Sequence, residues 1–184
     1  LCYVPSTASC GFGRFKDILR FYESRIQLSK TMRQRLVRVP LGLDYPYWIE
    51  DEEFDLEYHV RHLALPKPGD WRQLCIQAAR IFARPLDLTR PPWEFTVIEG
   101  LDNVPGVAPG SFAMVTKVHH CAIDGMSGID LMQALHTLDP HAAAPQQPDD
   151  WQPEAVPNVL GLLAMSWFNA VPSPARQIEV AARA

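Results

Sequence analysis

The string His119-His120-Cys121-Ala122-Ile123-Asp124-Gly125 gathers two imidazoles, a thiol and a carboxylate in one short stretch. Histidine titrates near pH 6.5, so at neutral pH an imidazole can take a proton from a hydroxyl. If the strand conformation that precedes the pair persists, the two rings point to opposite sides. One histidine can then face a cleft while the other is held in the fold. Asp124, four residues after His120, can fix the tautomer of an imidazole, or pair with an arginine and hold the loop's shape. Both roles stay open at this level. Gly125 permits a tight turn where a ligand or another chain approaches.

Other chemistries fit these residues less well. His119, His120 and Asp124 are of zinc-ligand type, but no second cluster with ligand spacing accompanies them, and no metal is expected. His59 and His62 are three apart in a stretch that reads as extended. Gly125-Met126-Ser127-Gly128 suggests a serine nucleophile, yet Ile129 stands where the nucleophile elbow needs glycine. Ser127 reads instead as the cap of the helix that follows. Cys121 and His120 are sequence neighbours on a strand and point apart, so Cys121 is expected as a small core residue. The chain carries neither a G-x-x-x-x-G-K-[ST] phosphate loop nor G-x-G-x-x-G.

The elements that must position this string alternate between helix and strand. Phe15, Ile18, Leu19, Tyr22 and Ile26 recur at helical spacing and predict an amphipathic helix from Gly13 to about Leu28. Asp70 with Gln73 forms a capping pair that opens a second helix, Trp71 to Ala83, ended by Pro85. Two β-rich runs follow, Trp93–Glu99 and Phe112–Val118, joined by a turn-prone Gly/Pro/Asn segment. The second run leads directly into His119. A third helix is expected from about Met126 to Leu138, with Leu131, Met132, Leu135 and Leu138 on its apolar side. The class is therefore α/β or α+β, a mixed sheet with flanking helices and its informative loop at a strand's C-terminal end.

The chain has 184 residues, within the roughly 100–200 of one domain. Apolar residues make up 47% and charged residues 21%, which excludes wholesale disorder and coiled coil. A net charge of −4 and the lack of a basic stripe exclude a nucleic-acid partner. Lys30 to Arg35 is a short basic run explained by a surface helix face. Four cysteines (Cys2, Cys10, Cys75, Cys121) without C-x-x-C spacing read as reduced thiols of a cytoplasmic protein. No apolar stretch reaches the roughly 20 residues of a membrane span. The chain opens on Leu1 rather than Met and is expected to be a piece of a longer protein. Seven of its prolines lie between Pro140 and Pro174, so residues 140–184 read as a Pro-rich crossover following a domain over 1–139. Within it, Val159–Val171 is an apolar helix that docks on further protein or touches a lipid surface.

The HHxxxDG string and the strand before it, Ala113 to Val118, resemble the bacterial wax ester synthase/diacylglycerol acyltransferase family. Arg33-Gln34-Arg35-Leu36-Val37 with Pro40-Leu41-Gly42-Leu43 is similar to that family's first strand region. Phe54-Asp55-Leu56-Glu57-Tyr58-His59-Val60-Arg61-His62 matches its FDxxxHVRH stretch. Arg84-Pro85-Leu86-Asp87 and Arg90-Pro91-Pro92-Trp93-Glu94 match the segment that usually reads RPLW. The resemblance covers roughly Arg33 to Asp139. Pro92 departs from the usual Leu, and Leu1 to Gly13 does not match the family's usual N-terminus.

The resemblance implies a chloramphenicol-acetyltransferase-like fold of two similar halves, of which this chain is the N-terminal one, with a tunnel between them. It implies transfer of a fatty acyl group from acyl-CoA, a co-substrate rather than a cofactor, to diacylglycerol or a long-chain alcohol. His120 then corresponds to the general base and His119 to a supporting neighbour. Asp124 is an orienting residue, Gly125 lets the loop turn, and Pro91 and Trp93 are scaffold. The partner is the C-terminal half of the same protein, with peripheral contact at membranes or lipid droplets. Two other readings keep the fold: a carrier-protein-dependent acyltransferase or condensation domain, and a non-catalytic half-domain that binds lipid or protein.

Overall fold

A computed structural model describes residues 2–4, 15–108, 110–123, 135, 151, 153 and 155–170. Its elements in chain order are β1 (Cys2–Val4), α1 (Phe15–Glu23), β2 (Gln34–Val37), β3 (Tyr47–Glu50), α2 (Leu56–His59), β4 (Val60–Ala64), α3 (Trp71–Ala83), β5 (Trp93–Glu99), β6 (Phe112–Val118) and α4 (Val159–Ala170). The main sheet runs β1-β6-β5-β4, and among the described residues β2 pairs with β3 in a separate antiparallel pair. In the main sheet β6 is antiparallel to both β1 and β5, whereas β4 and β5 are parallel and joined through α3.

The period-two alternation of strand side chains sorts the core into two layers. Trp93, Phe95 and Val97 of β5 and Phe112 and Met114 of β6 face Ile18 and Tyr22 of α1. Ile98, Ala113 and Val115 face the opposite way, onto Leu74 and Ile81 of α3. A sheet covered on both faces explains why β5 and β6 read as nearly continuous apolar runs. The Tyr22 hydroxyl reaches the Met114 sulfur at 3.0 Å, tying α1 to β6 inside the first layer.

Helix α3 begins and ends where its sequence signals stand. The Asp70 carboxylate accepts from the Gln73 N–H at 2.8 Å, and the Gln73 side chain accepts from the Asp70 N–H, closing a capping box. Before Pro85, Arg84 is extended, as the residue preceding a proline tends to be. Lys117 of β6 donates to the carbonyls of Ile81 and Arg84, satisfying the last turn.

Several expectations are corrected. The first helix does not run to Leu28: it stops at Glu23, and a 3-10 turn over Ile26–Leu28 carries Ile26 into the core. The Ser24 hydroxyl takes the Phe21 carbonyl at 2.8 Å and the Arg25 N–H takes that of Tyr22, which draws off carbonyls the α-helix would need. His59 does not lie in an extended stretch, because Asp55 caps a helical turn by accepting from the Glu57 N–H at 2.9 Å. Arg33, expected on a surface helix face, is buried. The proposed helix from Met126 to Leu138 lies outside the described residues except for Leu135, which is buried in the first layer. The Val159–Ala170 segment is helical, with Leu160, Trp167 and Phe168 exposed at 76%, 71% and 78%.

Candidate active site

Strand β6 reaches its last register pair at Val118, opposite Trp93. The next residue, His119, still donates its N–H to the Pro92 carbonyl at 2.8 Å, after which the backbone folds into a 3-10 turn over His120–Ala122. The strand therefore does not persist through the histidine pair, and the simple alternation of faces does not apply. Instead the His119 ring folds over the turn. Its Nδ1 accepts from the Cys121 N–H at 3.1 Å and lies 2.9 Å from the Cys121 sulfur. With Nδ1 accepting from an amide, the neutral ring carries its proton on Nε2.

Cys121 is exposed, which corrects its expected place in the core, and its histidine neighbour is His119 rather than His120. The 3-10 turn brings residues two apart together where a strand would not. Partial desolvation of the sulfur pushes its pKa up, so the thiol rather than the thiolate prevails at neutral pH. That disfavours Cys121 as a nucleophile. His120 is exposed, and its ring has no hydrogen-bond partner among the described residues. Asp124, Gly125 and Ser127 lie outside the described residues.

The segment before β5 braces this loop. Pro91, Pro92 and Trp93 are buried. Proline supplies no N–H, so the two prolines meet their surroundings through carbonyls: Pro91 accepts from Trp93 at 2.8 Å and Pro92 from His119. The Trp93 indole donates to the Met32 carbonyl at 2.8 Å, across 61 residues of sequence. Pro92, the departure from the expected motif, still supplies the carbonyl that the His119 N–H meets.

Two residues that the sequence motifs contain, but to which the sequence reading gives no role, lie around this brace. His59 donates from Nδ1 to the Trp93 carbonyl at 2.8 Å and stacks between Phe54 and Trp93, with centroids at 5.4 and 4.5 Å. Burial pushes its pKa below the ordinary histidine value, outweighing the Trp93 carbonyl and Asp51, which favour the proton. Arg90 donates to the Glu53 carbonyl at 2.8 Å, and its guanidinium lies 3.9 Å from the buried Asp51 carboxylate, which Arg35 approaches at 3.3 Å. The available signal was Asp55, a cap residue ahead of LEYH, which places His59 at the end of a helical turn facing inward.

Among the described residues no three His, Cys, Asp or Glu side chains converge. His62 pairs with Glu99 at 3.1 Å and stacks on Phe15, apart from the His59 environment. Among the same residues no helix is long and apolar enough to cross a membrane.

The described residues form a mixed sheet layered with helices, with an exposed histidine pair at the end of an antiparallel strand, as the expected chloramphenicol-acetyltransferase-like fold requires. The model of the wax ester synthase/diacylglycerol acyltransferase catalytic domain matches residues 2–182, and the chain belongs to that family. The match extends past the Arg33–Asp139 span carried by the motifs and includes the opening residues that had looked divergent. A Mycobacterium tuberculosis (strain CDC 1551) protein named as a diacylglycerol O-acyltransferase is 37% identical over 154 residues, 84% of this chain and 31% of the relative. A second from that strain, tgs3, is 35% identical over 166 residues, 90% of this chain and 58% of the relative. The solved wax ester synthase/diacylglycerol acyltransferase of Marinobacter aquaeolei VT8 superposes with a TM-score of 0.54 at 28% identity, over 89% of this chain and 40% of its own. The first condensation domain of the calcium-dependent antibiotic synthetase shares the fold, with a TM-score of 0.50 at 20% identity over 66% of this chain and 28% of its own. The chain thus spans between about a third and somewhat over half of the curated relatives named here.

Proposed function

We propose that this chain is the N-terminal half of an O-acyltransferase that moves a fatty acyl group from acyl-CoA to diacylglycerol or a long-chain alcohol. The observation that carries the reading is His120, exposed beside a neighbour whose Nδ1 is engaged within the loop. His120 takes the proton of the acceptor hydroxyl while that oxygen attacks the thioester carbonyl. The tetrahedral intermediate collapses, the carbon–sulfur bond breaks, and the proton passes from His120 to the departing CoA sulfur. No acyl-enzyme forms and no metal or prosthetic group enters. General-base catalysis of this kind contributes about 10²–10⁴-fold. Asp124 and Gly125 set the loop, while the C-terminal half supplies the second tunnel wall and donors for the oxyanion.

The substrates are lipids, and the chain works peripherally at membrane or lipid-droplet surfaces. Support comes from α4, which leaves Leu160, Trp167 and Phe168 outward, apolar side chains of the kind that bury at a membrane interface. Sedimentation with liposomes that is unchanged on deleting α4 would remove this part of the reading.

The test of the chemistry is CoA release from a long-chain acyl-CoA by the complete gene product, with and without diacylglycerol or long-chain alcohol. Acceptor-dependent release that collapses in His120→Ala supports the proposal. If free acyl-CoA supports no release but a carrier-bound acyl group does, the condensation-type reading replaces it.

A further inference from the structure

Three successive carbonyls, of Pro91, Pro92 and Trp93, each accept one N–H, from Trp93, His119 and His59 respectively. The middle acceptor anchors the histidine loop, and the groups on either side of it decide where it points. The peptide unit that carries the Pro92 carbonyl ends at the Trp93 nitrogen. That nitrogen donates to the Pro91 carbonyl, and Trp93 itself is gripped at two further places: its indole by the Met32 carbonyl and its own carbonyl by His59.

His59 suits this grip for reasons of shape and charge. Its Nδ1 is close to its own backbone and reaches the Trp93 carbonyl at 2.8 Å. Its flat ring lies within 13° of Phe54 and 23° of Trp93, so it fills the space between them as an aliphatic side chain would not. Kept neutral by burial, it brings no charge into that stack. Nε2 is buried with no hydrogen-bond partner in the described structure, so all of the ring's polar work is done by Nδ1.

We infer that His59 is a positioning residue for the His119-His120 loop, holding the Trp93 carbonyl and through it the Pro92 carbonyl on which the His119 N–H is anchored. The activity readout of this inference rests on the acyltransferase reading; the structural readout does not. No contact between His59 and substrate is implied.

Three substitutions separate this role from simple filling of space. His59→Asn keeps a side-chain N–H close to the position of Nδ1; His59→Gln places its N–H nearer Nε2; His59→Leu offers none. In the complete polypeptide each would be assayed for acceptor-dependent CoA release and for hydrogen exchange at the His119 amide, beside wild type and His120→Ala. The Leu and Gln variants should lose about 10²-fold in kcat, the scale of an ångström-sized misplacement, with the KM for acyl-CoA unchanged and His119 exchange accelerated. The Asn variant should keep both near wild type. Equal losses in all three variants, or His119 exchange at the wild-type rate in His59→Leu, would overturn the inference. Should the Leu variant fail to fold, Asn against Gln decides it alone, and loss of both readouts in Asn counts against it. A wild type that releases no CoA defeats the acyltransferase reading, while the exchange comparison still settles the role of His59.

Discussion

His119 donates its backbone N–H to the carbonyl of Pro92 at 2.8 Å, one step beyond the last register pair of β5 and β6. That bond marks where the sheet ends and the histidine loop begins. Because the partner is a proline, the contact runs one way: Pro92 has no N–H to return. Among the described residues the loop then takes its shape from the His119 cap on the Cys121 N–H and from Ile123, which packs against the first core layer.

The cap predicts a graded response at His119. His119→Ala removes the acceptor for the Cys121 N–H and should cost about 1 kcal/mol of stability, the usual scale for a lost N-cap, together with most of the CoA release. His119→Asn restores a side-chain oxygen in capping position and should recover the stability in thermal melts. If Asn recovers stability but not activity, the Nε2–H of His119 serves the reaction directly.

Trp93→Phe leaves the buried Met32 carbonyl without its donor. A loss of about 1–3 kcal/mol follows from the unsatisfied group. Denaturant titration against wild type measures it, and a midpoint within error of wild type would show that the indole N–H does not matter.

The neutral His59 makes a pH prediction. Burial holds its folded-state pKa below the ordinary value of 6.5, so below that pH the unfolded chain binds a proton the folded chain refuses. Stability should fall as pH drops through 6.5 and level off below the folded value. Asp51 and Asp55 soften the shift and Arg90 reinforces it, but burial dominates. His59→Asn has no titrating ring and should show a flatter acid limb in denaturant titrations on either side of pH 6.5.

Two substitutions far from the loop serve as controls. Asp70→Ala opens the capping box and should cost about 1 kcal/mol with kcat unchanged. Gly69→Ala should cost more: at φ +72° an added Cβ would lie 2.1 Å from the Gly100 carbonyl oxygen, a backbone atom with no flexible side chain to give way. Comparison of the two melting temperatures checks the order.

What was legible in the sequence is what local signals decide. Asp70 and Gln73 close their box within one turn, and β5 and β6 advertise themselves because both faces are buried. The helix ending short of Leu28 escaped notice because Ile26 keeps its apolar spacing even in a 3-10 turn. His59 escaped because a four-residue helix is too short to show a period, and its partner lies 34 residues on. The His119–Cys121 contact is not legible in the alternation of strand faces, because the chain turns one residue after the last paired position. Among the candidate residues, His119, His120, Pro91 and Trp93 are found in one neighbourhood, whereas Asp124 and Gly125 lie outside the described structure.

The grip on Trp93 has a kinetic corollary. It joins Met32, His59, Pro92 and His119, segments brought together only when both the parallel β4–β5 pair and the antiparallel β5–β6 pair have formed. Such nonlocal contacts demand loop closure before they are rewarded, so they arrive late in folding. Recovery of CoA release during refolding should then lag behind recovery of helical signal, with the histidine loop among the last parts of the chain to reach its native shape.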